Sequence, residues 1–447
     1  MDRSPMSGPA TGPDGEATPV FVEVTDTLSR PYTAGHQRIV RSLLGALDRL
    51  GAAGTGLGVV PVVRPAGLGD YRRLTGAERA RLRQHPPGGG ARRPPPLGPL
   101  SPVVRAAAGW PVSRQARTVL DDRRRRRSLT PEVRSLGLGL PPIGSVWLDL
   151  EPAWRDPEPR TDLLRRLRAS GVHTAALVLD VITELHPEWY DEAHRRRFGR
   201  WLRAHLAVTE SFLCLSRAAE EDLRRVADRL GVRRRLPVTV VPAGSDPPAA
   251  EPVPVGLPSA VGRYLLVVAT IAARKNQELV VDAFDLLRRR HPDLSVVLVG
   301  REGRGAGELV ARLRSHPESG RRLLWLQGID DAELAWLYRN AFLAVAPSRH
   351  EGVGMPVIEA LRHGCPVLCT AGGALAEAGG DHVDTIDPDD PEALAVTVER
   401  HLVDVPFHRR AIERVGGFTA PTWDDTAHAV ARALTDLSRQ PPPLARR

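Results

Sequence analysis

The chain has 447 residues, 42% of them hydrophobic and 26% charged, enough for about two domains each with a core of its own. Three cysteines exclude a disulfide framework, and apolar runs of about ten residues are too short to span a bilayer. The formal net charge of +9 is carried almost wholly by arginine, because Lys275 is the only lysine; such a balance favours phosphate-bearing partners without choosing among nucleotides, nucleic acid and an anionic membrane.

Residues 1–19, polar and rich in Pro and Gly, read as a disordered leader without a secretory signal. Order is expected from the strand-like VFVEVTDTL (Val20–Leu28). HQRIVRSLLGALDRLG follows with helical spacing of Ile39, Val40, Leu43, Leu44 and Leu47, and then the strand GLGVVPVVR. Between about Ala66 and Gly144 the periodicity degrades into a Pro/Arg-rich insert that includes QHPPGGGARRPPPLGPLSP and DDRRRRRS. Strand and helix patterns then alternate through SVWLDL, LLRRLRASG, HTAALVLD, RRRFGRWLRAHLAVT, SFLCLS, RAAEEDLRRVADRLG and PVTVVPAG, closing a first domain over 20–247.

A proline-dense linker, SDPPAAEPVPVGLPSAVG, opens a second domain over 248–418. Its expected strands are YLLVVAT, LSVVLVG, RLLWLQG, FLAVAPS, CPVLCT and VDTID. Near-continuous apolar strands alternating with helices predict a parallel sheet covered on both faces. The fold class is therefore α/β: two Rossmann-like doubly wound domains, with ligand expected at the carboxyl ends of the strands in the cleft between them. A terminal helix over 419–438 and a disordered tail over 439–447 complete the chain. Cys365 and Cys369 lack metal or redox spacing and read as small buried residues.

The stretch SRHEGVGMPVIEALRHGCPVL (Ser348–Leu368) is the most informative. A glycine loop feeds a helix with Pro356 at its start and Gly364 just past its end. Free amides and the positive helix end suit a diphosphate, and glycines let it approach the backbone. Glu351 and Glu359, spaced E-x7-E, are poor phosphate ligands and better hydroxyl acceptors, which fits a ligand that alternates sugar, diphosphate and ribose. Arg274 and Lys275 lie at the carboxyl edge of the same sheet. Fixed cations there would stabilise a departing nucleoside diphosphate, and a compact ammonium fits between phosphate oxygens differently from a guanidinium.

ARKNQELVVDAF, LQGIDDAELAWLYRNAFLAVAPS and EGVGMPVIEALRHGCPV together resemble retaining GT-B glycosyltransferases of family 4. GHQR (Gly35–Arg38), LVLDVITELHPEWY and LCLSRAAEEDL resemble its mannosyltransferase-like branch, where the first motif is GIQR. The resemblance spans about Val20–Leu437 apart from the insert. It implies a GT-B fold and transfer of a sugar, mannose at branch level, from a nucleotide-diphosphate donor to a glycan or lipid-linked acceptor hydroxyl, as in polysaccharide or glycolipid biosynthesis. It implies retention of configuration by front-face attack, with no metal and no other cofactor.

By the same resemblance Arg274 and Lys275 would bind the leaving diphosphate, and Glu351 would contact sugar hydroxyls. Gly352, Val353, Gly354 and Met355 would hold sugar and phosphates through their amides, and Glu359 would bind the ribose. Gly328 and Ile329 would lie beside the base, with Gly35 across from the diphosphate. The terminal helix would cross back onto the first domain. Leu179 stands where many members carry histidine, leaving Asp180 and His186, with His36, as acceptor-side candidates. The expected setting is the cytoplasm, with peripheral contact at an anionic inner membrane face. A non-catalytic GT-B module binding nucleotide or glycan is the competing class. Nucleic-acid binding lacks aromatic platforms, aromatics being 4% of the chain, and any reader motif.

Overall fold

A computed structural model describes residues 17–29, 35–54, 56–64, 71–83, 139–151, 160–245, 253–254, 257 and 261–443. Nearly all of the leader, the centre of the Pro/Arg-rich insert, most of the linker and the last residues of the tail lie outside the described residues.

The first sheet comprises β1 (Thr18–Glu23), β2 (Leu57–Val63), β3 (Arg72–Arg73), β4 (Val146–Asp149), β5 (His173–Leu177), β6 (Ser211–Cys214) and β7 (Val238–Val240), ordered β3-β2-β1-β4-β5-β6-β7. The second comprises β8 (Tyr264–Val268), β9 (Ser295–Val299), β10 (Leu323–Leu326), β11 (Leu343–Ala346), β12 (Val367–Thr370) and β13 (Asp384–Ile386), ordered β10-β9-β8-β11-β12-β13. All pairings are parallel except β2 with β3. Strands β4, β5, β6, β9, β11 and β12 are buried at every residue. Such burial on both faces requires helices on each side, and the sequence supplies them. Strand order reverses between β1 and β4 and again between β8 and β11, which opens a crevice at the carboxyl ends of both sheets.

In the first lobe, Leu43, Leu44 and Leu47 of the Gly35–Ala52 helix share a core with Val430 and Leu434 of the Trp423–Ser438 helix. That last helix therefore starts beyond the second sheet and ends against the first. Its crossing is tight, since a Cβ on Gly244 would lie 2.6 Å from the Trp423 backbone. In the second lobe, Val280, Phe284 and Leu287 pack one face of the sheet with Leu394 and Val398, while Leu337, Tyr338, Val357 and Leu361 pack the other. Val353 and Ile358, although sequential with the second lobe, join the first lobe's cluster.

Three local expectations need correction. The strand expected to run to Leu28 stops at Glu23, because Thr25–Ser29 forms a short helix whose Asp26 and Thr27 amides donate to the buried Glu151 carboxylate at 2.5 and 2.9 Å. The insert is not irregular throughout. It contributes β3 and the Gly76–Arg83 helix, held by a two-pronged Arg72–Glu78 pair at 2.7 Å on each prong. Leu74 and Leu82 are buried there, and Arg41 donates to the carbonyls of Arg81 and Leu82. A helix over Val405–Gly416 has no counterpart in the expected elements. Only Asp404 separates it from the Pro391–Val403 helix, so the apolar pattern shows no break, and the Asp404 carboxylate caps it by accepting from Phe407 N at 2.9 Å.

Candidate functional site

Beyond β8 the chain makes a single 3-10 turn, Ala273–Lys275, and leaves it through Asn276 at φ 54°, the only non-glycine residue with positive φ among the described residues. Asparagine is among the residues other than glycine that enter that region most readily. Here the Asn276 amide donates to Pro388 O at 2.7 Å, and Gln277 donates to Thr270 O at 3.0 Å. Arg349 N donates to Arg274 O at 2.9 Å, tying the turn to the loop after β11. The turn and the loop thus face one another with their side chains converging on Glu351.

Lys275 forms an ion pair with Glu351 Oε1, and Arg274 Nη1 lies 3.2 Å from Oε2 and 3.2 Å from His350 O. The lysine and glutamate side chains keep 13% and 11% of their accessibility. Burial pushes the Glu351 carboxyl upward, but the charges of Lys275 and Arg274 outweigh it and hold the group down at about 2. Burial lowers the Lys275 ammonium, with Glu351 opposing. A phosphate in the carboxylate's place would oppose that desolvation in the same way.

Past Glu351, the EGVGM loop offers its backbone rather than its side chains. Val353 is buried in the first lobe's core, with Met355 packed against the same cluster. Gly352 is pressed on the first lobe so closely that a Cβ would stand 2.0 Å from Leu179 O and 2.6 Å from Asp180 Cβ. Gly354, at φ 85°, faces Ala374 O, which a Cβ would approach to 2.7 Å. The Met355–Arg362 helix starts directly after it with Pro356, which carries no N–H, in its first turn, while Val357 N donates back to Gly354 O at 3.0 Å; the helix end therefore presents its positive pole and the Met355 amide.

Glu359 lies one helical turn on and is buried. Its Oε1 is 3.0 Å from Arg38 Nη2, and its Oε2 accepts from the Tyr338 hydroxyl at 3.2 Å. Arg38 Nε also lies 3.5 Å from Asp331. Burial raises the Glu359 carboxyl, with Arg38 opposing. Gly328, at φ 74°, and the buried Ile329 end the segment after β10, just before the Asp331–Asn340 helix. Gly35 opens the facing helix, and among the described residues nothing beyond its chain neighbours comes within 4 Å of where its Cβ would be.

Of the first-lobe candidates, Asp180 reaches the centre. It influences Lys275, Arg274 and Tyr190 electrostatically, and its Oδ1 accepts from Ile182 N at 3.2 Å. His186 stacks on Trp189 at 4.2 Å between centroids, lies 3.2 Å from Glu188 and meets the second lobe's His350 edge-on at 5.1 Å. His36 faces Asp26 of its own lobe at 3.6 Å.

Several residues at the centre escaped sequence reasoning. The Tyr190 phenol is pushed up to about 12 by burial and by Asp180, with Arg274 pulling the other way. Arg38 was legible only as the last letter of GHQR. Interlobe ties come from Ser216, whose hydroxyl donates to Gly352 O at 2.6 Å, and from His350 to Asp222 at 2.6 Å. Glu377 accepts from Arg217 N and Ala218 N at 2.7 and 2.9 Å. A carboxylate on the first amides of the Arg217–Arg229 helix is a favourable cap, supplied here by the other lobe.

Sucrose-phosphate synthase from Thermosynechococcus elongatus superposes with a TM-score of 0.58 at 20% identity, covering 94% of this chain and 99% of that one. Anabaena HepE in complex with UDP gives a TM-score of 0.59 at 13% identity, covering 94% and 100%. The chain has the GT-B fold. Within it, residues 259–415 match the family described as Glycosyl transferases group 1, a span that contains Arg274, Lys275, Glu351 and Glu359. The serotype-specific mannosyltransferase WbdA of Escherichia coli is 27% identical over 281 residues, covering 60% of this GT-B chain. The chain spans about a third of that relative's length, the match covering 34% of it. Among the described residues no helix is long and apolar enough to cross a membrane.

Proposed function

We propose that this protein is a retaining, metal-independent glycosyltransferase of family 4 that moves a hexose from a nucleotide-diphosphate sugar to an acceptor hydroxyl. The observation that carries this reading is the convergence of Arg274 and the chain's only lysine on Glu351, beside a glycine loop that opens a helix. In the reaction, the bond from the anomeric carbon to the diphosphate oxygen breaks and the acceptor oxygen bonds to the same face. The acceptor proton passes to the departing phosphate. Lys275 and Arg274 would take up the charge that builds on the diphosphate, the task a metal performs elsewhere. Glu351, released from those cations, would orient hydroxyls of the sugar, and Glu359 would accept from the ribose. Asp180 and Tyr190 would face the acceptor hydroxyl.

Mannose as the donor sugar is favoured by the likeness to the mannosyltransferase WbdA, and a glycan or lipid-linked acceptor by the motif resemblance of the sequence. Peripheral contact with an anionic membrane at its cytoplasmic face is consistent with Arg196, Arg200 and Arg203, which are exposed along one side of the Glu192–Val208 helix. A thermal-shift and hydrolysis screen across GDP-, UDP- and ADP-sugars tests the proposal. One donor should protect the protein and be slowly hydrolysed, and Lys275→Ala should abolish both effects. Equal behaviour of wild type and variant towards every donor would refute it. Protection without hydrolysis or transfer would favour a binding module.

A further inference from the structure

We propose that Arg38 is an exchangeable donor-site cation: it holds Glu359 in the donor-free cleft and passes to the diphosphate when the ribose takes its place. This rests on the donor-site reading above and adds to it a residue from the opposite lobe.

Arg38 comes from the first turn of the Gly35–Ala52 helix, yet its charge partners, Glu359 at 3.0 Å and Asp331 at 3.5 Å, belong to the second lobe. A guanidinium therefore sits on the carboxylate assigned to the ribose, and ribose hydroxyls cannot reach Glu359 Oε1 until it leaves. Displacement is feasible, because Arg38 keeps 32% of its side-chain accessibility while Glu359 keeps 9%. The cation is the mobile partner and the acid the fixed one.

The destination follows from helix geometry. Glu359 lies four residues beyond Met355, and a helical turn advances about 5.4 Å. The positive end of the Met355–Arg362 helix is thus within a swing of a long arginine side chain. The first turn of the Gly35–Ala52 helix contains no acidic residue, so its positive end and Arg38 both favour an incoming anion from that side. Besides Glu359 and Asp331, the acid facing this turn is Asp26, which lies 3.6 Å from His36 and accepts from Gln37 at 3.4 Å. A diphosphate seated between Lys275 and that helix end would then be clasped from both lobes, with a planar fork on one side and an ammonium on the other.

The exchange separates the two halves of a nucleotide by experiment. Calorimetric titration with guanosine, uridine and adenosine, and with their diphosphates, should be carried out on wild type, Arg38→Gln and Lys275→Gln. The expected result for Arg38→Gln is at least a tenfold loss of diphosphate affinity, with affinity for the matching nucleoside unchanged or increased. Diphosphate binding at wild-type strength or better would overturn the proposal and leave Arg38 a mere latch. An equal fall for nucleoside and diphosphate would overturn it as well, showing structural damage to the pocket. If Arg38→Gln fails to fold, Arg38→Lys takes its place and must keep nucleoside affinity while losing diphosphate affinity. Loss in Lys275→Gln alone would leave the donor site standing and remove Arg38 from it. A wild type that binds no nucleoside diphosphate would refute both.

Discussion

His350 Nε2 lies 2.6 Å from Asp222 Oδ2, so the residue immediately before Glu351 is anchored to a helix of the opposite lobe. The same histidine's carbonyl lies 3.2 Å from Arg274 Nη1. One residue thereby links lobe closure to the placement of a donor-site cation. Separate substitutions Asp222→Asn and His350→Gln should each lower kcat/KM by roughly three- to tenfold, about 1 kcal/mol, the scale of one buried polar contact. The double variant should be no worse than the more damaged single one, because both remove the same tie. Additive losses in a double-mutant cycle would show that the two side chains act independently.

Glu351 has a pH signature. Its folded-state group sits at about 2 against an ordinary 4.5, so the stability it contributes is complete above about 4.5 and is lost as pH falls towards 2. Glu351→Gln should remove that acid-side loss and lower overall stability at neutral pH by leaving Lys275 and Arg274 without their counter-charge. Urea melts of both proteins between pH 2 and pH 7 would check this. Curves that stay parallel across the range would rule out the depressed carboxyl. The same variant at neutral pH should lower the Lys275 pKa further, since Glu351 is the group that opposes its desolvation.

Glu151 works in the other direction. Burial, with the neighbouring Glu23 charge, pushes its carboxyl up to about 8 although two amides bond it. A raised carboxyl stabilises the fold while protonated; that contribution is full below the ordinary 4.5 and declines as pH rises through about 8. Glu151→Gln mimics the protonated group and should flatten the decline, leaving the variant relatively more stable above pH 8. Melting temperatures of wild type and variant from pH 5 to pH 9 would reveal it. A difference between the two that does not change with pH would refute the shift.

The sheets were legible because burial on both faces left long apolar strands, LSVVLVG and FLAVAPS among them, set between helices of clear period. The donor side of the site was legible too: glycines, Pro356 and two glutamates are local features of one loop and helix, and a lone lysine among arginines is visible by counting. What the residues could not show was reach between lobes. Nothing about Ser216, Asp222 or Glu377 distinguishes them from other helix-start or surface residues until the lobes are docked. Arg38 is one arginine among 61 and acquires meaning only from the Glu359 carboxylate beside it. The Gly76–Arg83 helix was hidden because its support comes from Arg41 in a different helix, not from its own period.

Gly352 offers the sharpest test of how the lobes meet. A methyl group there would stand 2.0 Å from Leu179 O and 2.6 Å from Asp180 Cβ, distances no side-chain carbon tolerates, and the obstructing atoms include backbone. Neither side can yield by a rotamer change, so the lobes must separate or the loop must shift. Separation would also break the Ser216 bond to Gly352 O and draw Asp180 away from Lys275 and Arg274. The first lobe's core would lose Val353 and Ile358 at its margin, and the rest of each sheet's core would be untouched. Gly352→Ala should therefore cost only about 1–3 kcal/mol in stability while reducing transfer at least a hundredfold, about 2.7 kcal/mol in barrier. Melting and turnover measured on the same preparation distinguish this from general damage. An alanine variant that keeps a tenth or more of wild-type turnover would mean that the lobes need not touch at this point for the reaction to proceed.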